Sequence, residues 1–145
     1  MRAVQMFVEQ GPTAERGKDV RALVLDNDPG SYAAIVHHLQ GAAYETITAT
    51  SIQQAREVLR AHNVDVVVLD LSLTDGSGLA FCHELREWLG DLIVIVFLCK
   101  NSTGLARAAG IELGADDFIA KPYDAEELLM RIELRQRARL DMSGQ

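Results

Sequence analysis

Between Val20 and Arg139 the chain alternates short apolar runs with longer stretches in which apolar residues recur every three or four positions. The short runs predict strands over Arg21–Leu25, Glu45–Ala49, Val64–Leu69, Leu92–Leu98 and Asp117–Ala120. The periodic stretches predict helices, and most carry start signals. Asp28-Pro29 sets a capping side chain before a proline, followed at helical spacing by Tyr32, Ile35, Val36 and Leu39. Ser51 with Gln54 forms a capping-box pair ahead of Ile52, Ala55 and Leu59, and Ser77 precedes Leu79, Cys82, Leu85 and Leu89. Asp124 with Glu127 makes a second box-like start before Leu128, Leu129 and Ile132. A shorter helix is expected over Leu105–Leu113, ending at Gly114.

Five strand-then-helix units in succession predict an α/β fold, a single doubly wound five-stranded parallel sheet with helices on both faces and right-handed crossovers. The strands are nearly continuous apolar runs, as burial on both faces requires. Residues 1–19 mix charges, Gly11-Pro12 and a short Met6-Phe7-Val8 patch, and are expected to form a mobile extension. The folded domain is expected over 20–139, with a frayed tail at 140–145.

Composition narrows the function. The 145 residues suffice for one domain with a sizeable core, and 48% hydrophobic with 24% charged residues is ordinary for a globular protein. A net charge of −7 argues against direct nucleic-acid binding, which needs clustered Lys and Arg. No apolar stretch is long enough to cross a bilayer, and residues 1–20 lack the continuous apolar core of a signal peptide. Cys82 and Cys99 both lie in apolar surroundings, which suits buried thiols in a reducing compartment. The expected location is the cytoplasm.

The chemistry gathers at the strand ends. Val66-Val67-Val68-Leu69 ends in Asp70, Ala22-Leu23-Val24-Leu25 ends in Asp26-Asn27-Asp28, and Asp117-Phe118-Ile119-Ala120 ends in Lys121-Pro122. Open α/β sheets build their sites at the carboxyl ends of their strands. For Asp70 to approach a phosphorus ringed by negative oxygens, a divalent cation must offset the repulsion. Asp26, Asn27 and the main-chain carbonyl near Ser72 can supply oxygens to it, while Lys121 offers a point charge to a phosphate oxygen.

Three segments in this order, Ala22 to Pro29, Val66 to Leu73 and Gly114 to Tyr123, make the chain resemble the receiver domain of two-component response regulators from about Val20 to Arg139. The resemblance implies a flavodoxin-like (βα)5 fold in a signalling domain, with at most intrinsic phosphotransfer and autodephosphorylation activity rather than an enzyme's turnover. It implies Asp70 as phospho-acceptor, Lys121 as phosphate contact, and Mg²⁺ or Mn²⁺ bound by Asp26, Asn27, Asp70 and the Ser72 carbonyl. It implies a cis Lys121-Pro122 bond, and Ser72 and Asn101 near positions that tune dephosphorylation. The expected partners are a sensor histidine kinase or phosphotransfer protein and a second copy meeting the face of the fourth helix, fifth strand and fifth helix. On that face Arg131 with Asp116 or Asp117 is a candidate intermolecular pair; a solvated helix whose cations complement its C-terminal dipole is the plain alternative. No membrane and no direct nucleic-acid contact are expected.

Three positions depart from the family pattern. Asn27 stands in the acidic pair, which removes one negative charge and should weaken metal binding. Cys99 or Leu98 falls at the switch Ser/Thr position, with Lys100 as the neighbour, and a thiol donates a poorer hydrogen bond than a hydroxyl. Thr74 replaces a common proline after the acceptor. A pseudo-receiver, a phosphorylation-independent interaction module, is therefore the alternative function. Asp70-Leu71-Ser72-Leu73-Thr74 also superficially resembles the Asp-x-Asp-x-Thr motif of haloacid-dehalogenase-type phosphatases, but Ser72 replaces the general acid and the chain has no room for a cap domain.

Overall fold

The computed structural model describes residues 20–71, 77–99 and 104–143. The expected extension at 1–19, and the expectations for Ser72, Thr74, Lys100 and Asn101, lie outside the described residues. Five strands, β1 (Val20–Leu25), β2 (Tyr44–Ala49), β3 (Val66–Asp70), β4 (Val94–Cys99) and β5 (Asp117–Ala120), alternate with α1 (Pro29–Gly41), α2 (Ile52–Ala61), α3 (Gly78–Leu89), α4 (Gly104–Glu112) and α5 (Ala125–Ser143). The strands form one parallel sheet in the order β2-β1-β3-β4-β5. After β1 the chain winds outward to β2 and then returns across β1 to β3. The order therefore reverses between β1 and β3, and the carboxyl ends of those two strands flank the crevice where such sheets bind ligands.

The period of two sorts each strand's side chains onto two apolar layers. Leu23, Leu25, Val67, Leu69 and Phe97 face Ala55 and Val58 of α2 and Phe81 and Leu85 of α3. Ala22, Val24, Val66, Val68 and Leu98 face Ile35 and Leu39 of α1 and Leu128 and Ile132 of α5. All ten strand residues are fully buried, which explains the uninterrupted apolar runs. Helix α4 comes close to the sheet through Gly110, where a Cβ would lie 2.9 Å from Phe97 Cδ2 and 3.2 Å from Phe118 Cδ2.

Local signals set most boundaries. Asp28 accepts the Gly30 amide at 3.2 Å, Ser51 the Gln54 amide at 3.0 Å and Ser77 the Ala80 amide at 3.2 Å, each capping the helix it precedes. The Gln54 side chain returns a bond to the amide of Thr50, one residue earlier than a standard capping box has it. The box expected at Asp124 does not close. Asp124 accepts the Glu126 amide, and Glu127 turns to Arg131 at 3.0 Å, where an opposite charge one turn along outcompetes a neutral amide.

Two strands start later than expected. Asp65 precedes β3 and spends its amide on the Arg21 carbonyl and its carboxylate on the Arg21 amide, while Leu92, 56% exposed, lies before β4. Helix α5 runs on to Ser143, four residues beyond Arg139, with no glycine or proline before Gly144 to stop it.

Candidate functional site

Asp70 is the last residue of β3, held in register opposite Leu98 of β4. It is 1% exposed, and Asp26, just past β1, is fully buried. The Asp26 amide donates to the Ala49 carbonyl at 3.1 Å, and its Oδ1 accepts the Asp28 amide at 2.9 Å, so its carboxyl group is fixed from two sides. Lys121 leaves β5 with its amide on the Cys99 carbonyl at 2.8 Å and its bond to Pro122 cis. Its Nζ donates to Asp70 Oδ2 at 2.8 Å and stands 3.8 Å from Asp26 Oδ2. Three strand ends 44 to 51 residues apart in sequence thus converge on one ammonium.

The charge balance is uneven. Two buried carboxylates share a single cation, so the cluster carries a net negative charge where desolvation makes that costly. Burial by itself would lower the Lys121 pKa, but the hydrogen bond from Asp70 and the charges of Asp26 and Asp70 outweigh it and raise it above the ordinary 10.5. Lys121 therefore stays protonated throughout the neutral range.

Among the described residues no group of three or more His, Cys, Asp or Glu side chains could by itself hold a metal ion. Two carboxylates with the neighbouring Asn27 suit a hard cation that keeps several waters, as Mg²⁺ does, and the excess negative charge favours one. Asp28, the other acid of this segment, caps α1 and is exposed, so its carboxylate serves the helix.

Of the two switch candidates, Leu98 is fully buried in the layer under α1 and α5 and has no polar side-chain atom. Cys99 is partly exposed, ends β4, and pairs with Ala120 beside Lys121. The Cys82 thiol lies elsewhere, buried under α3, and burial pushes it up to about 11. Arg131 bonds Asp117 at 3.0 Å within its own chain, and Arg135 lies 3.9 Å from the same carboxylate. Inside the chain, then, the Asp117 partner is already satisfied.

One cluster escaped notice in the sequence. Arg86 of α3 donates to the carbonyls of Gly114, Gly90 and Ile93 and to Asp116 Oδ2 at 2.7 Å. Asp116 Oδ2 also accepts the Ile95 amide, and Asp116 Oδ1 pairs with Arg139. An arginine beside the apolar face of a helix was the available signal, but its partners are mostly carbonyls, which sequence does not mark.

Fold and site together define a receiver: a doubly wound sheet with an acid pair and a lysine at its switch point. The chain belongs to the response regulator receiver domain family, whose model matches residues 22–133. It is 34% identical over 128 residues to "Response regulator MprA" of Mycolicibacterium vanbaalenii, an alignment that covers 87% of this chain and 55% of that protein. It is 34% identical over 110 residues to the transcriptional regulatory protein KdpE of Mycobacterium tuberculosis, covering 76% of this chain and 48% of that one. The chain thus spans about half the length of the curated relatives it matches. The BeF3-activated DrrB receiver domain superposes with a TM-score of 0.75 at 26% identity, over 83% of this chain and 99% of that one. A CheY-like receiver domain protein from Methanospirillum hungatei shares the fold at a TM-score of 0.81 and 17% identity, over 86% of this chain and 99% of that one. Receiver domains are signalling domains that bind Mg²⁺ in an acidic pocket. No helix among the described residues is long and apolar enough to cross a membrane.

Proposed function

We propose that Asp70 accepts a phosphoryl group from a phosphohistidine of a sensor histidine kinase or phosphotransfer protein. The Lys121 ammonium between two buried carboxylates carries this reading. An Asp70 carboxylate oxygen attacks phosphorus, the phosphorus–nitrogen bond breaks, and its electron pair returns to the imidazole. Lys121 then exchanges its contact with Asp70 for a contact with a phosphate oxygen, and water later hydrolyses the acyl phosphate. Asp26, Asn27, Asp70 and the main-chain carbonyl of Ser72 would hold Mg²⁺ or Mn²⁺, which when bound offsets the repulsion between carboxylate and phosphate oxygens. Asn27 gives a neutral oxygen where an acid would add charge, so metal binding is weakened. Cys99 takes the switch position, and its thiol couples to the phosphate less strongly than a hydroxyl would.

The site works in the cytoplasm, as a domain that relays a signal to an output surface. That surface includes α4, β5 and α5, where Ile111, Met130 and Leu134 are 47%, 58% and 56% exposed, and where a second copy would bind. The pseudo-receiver alternative finds no support in the relatives. Incubating the protein with a small phosphodonor and Mg²⁺ should yield a phosphate adduct by intact mass that Asp70→Asn abolishes. An unmodified wild-type protein would overturn the proposal.

A further inference from the structure

At the end of the sheet opposite Asp70, a cleft of about 240 Å³ opens between the loops that lead into β3 and β4. Its walls are apolar: Leu59 of α2, Val64, Leu89 at the end of α3, Leu92 and Ile93. Leu92 is 56% exposed and Trp88, one turn earlier, 42%, so apolar surface continues past the rim. Such a patch on a small acidic domain calls for a cover.

The chain itself leads to this place. The Arg21 amide donates to Asp65 Oδ2 at 3.0 Å, and the Arg21 guanidinium donates to the Asn63 carbonyl at 3.2 Å. Both Asn63 and Asp65 line the cleft. The polypeptide that precedes Val20 therefore enters the domain against the cleft wall. Within residues 1–19 the apolar side chains concentrate at Met6-Phe7-Val8, followed by Gly11-Pro12 and then by polar and charged residues up to Asp19. The dozen residues from Val8 to Val20 span up to about 40 Å when extended, far more than a return to a cleft beside Arg21 demands.

We propose that Met6-Phe7-Val8 folds back onto the amino-terminal end of the sheet and seats the Phe7 ring in this cleft. The volume admits one aromatic ring. A tether this short holds the ring at an effective concentration on the order of millimolar, so a single apolar contact is enough to populate the docked state. The occupant arrives from the side of β1, and its ring contacts Leu89, Leu92 and Ile93. The cleft lies at the far end of the strands from Asp70 and Lys121, so docking leaves the phosphoryl site unobstructed. It is independent of the proposed function.

The test is methyl NMR on the full 145-residue chain. Phe7→Ser should remove the ring-current shifts of the Leu89, Leu92 and Ile93 methyl groups while leaving those of Leu25 and Leu98 unmoved. Leu92→Glu, at a position too exposed to endanger folding, should raise the rate of tryptic cleavage after Arg16 and Lys18 about tenfold, and Phe7→Ser should raise it equally. Cleft methyl signals and cleavage rates that do not respond to Phe7→Ser would overturn the proposal. Cleft shifts that vanish on dilution would also overturn it, because they assign the cleft to a second copy.

Discussion

The two ends of the sheet each hold a cluster of buried ions, with opposite stoichiometry. At the carboxyl ends of the strands two acids, Asp26 and Asp70, share one base, Lys121. Near the other end, at the start of β5, one acid, Asp116, serves two bases, Arg86 and Arg139, and Arg86 spends its other hydrogens on three carbonyls. The second cluster has donors for every acceptor and joins α3, β4, β5 and α5. Its balance is closed, and it has nothing to offer a ligand. The first retains a negative charge and an ammonium that can change partners. Chemistry resides where the charge is left uneven, and structure where it is neutralised.

The largest effect should come from breaking the closed cluster. Asp116→Ala leaves the Arg86 guanidinium buried beside carbonyls alone and strands the Ile95 amide. It should cost about 3–5 kcal/mol in urea unfolding, without abolishing phosphorylation of whatever fraction stays folded. A loss below about 1 kcal/mol would show that the network is not the anchor of α5 described here.

The open cluster should respond differently. Lys121→Met leaves two carboxylates facing each other and should destabilise the domain by about 3 kcal/mol at neutral pH. That loss should shrink on acidification, as one carboxylate takes a proton, and on adding Mg²⁺. In the wild type the Lys121 pKa is raised on folding, so its stabilising contribution is complete below the ordinary 10.5 and fades as pH rises through the higher folded value. The variant should lack this alkaline decline. Melting curves across pH, with and without Mg²⁺, read all three effects, and a Mg²⁺-insensitive variant would argue against a cation site.

The smallest effect tests the unevenness itself. Asn27→Asp adds a third acid beside Asp26 and should tighten Mg²⁺ binding about tenfold in calorimetric titration. Unchanged affinity would mean that residue 27 does not face the cation.

The open cluster was legible in sequence and the closed one was not. Apolar runs ending in Asp26, Asp70 and Lys121-Pro122 announce themselves, because strand burial leaves only the strand end for a charged residue. The strand order that brings Asp26 beside Asp70 follows from right-handed crossovers, although only the structure gives the 2.8 and 3.8 Å spacings about Lys121. Asp116 read as a mere strand opener, since the carbonyls and arginines that surround it lie 21 to 30 residues away and carry no pattern. Strand starts slipped for a related reason. Val64 and Leu92 are apolar enough to extend a run, but Asp65 turns its amide and carboxylate to Arg21 and Leu92 stays exposed at the cleft.

The measurement that bears most directly on the account locates the phosphoryl group. After treatment with a small phosphodonor and Mg²⁺, borohydride reduces an aspartyl phosphate to homoserine, and tryptic mapping identifies the altered position. Homoserine at residue 70, absent when Mg²⁺ is withheld, is the predicted result. Homoserine at any other aspartate, or none at all, would contradict it.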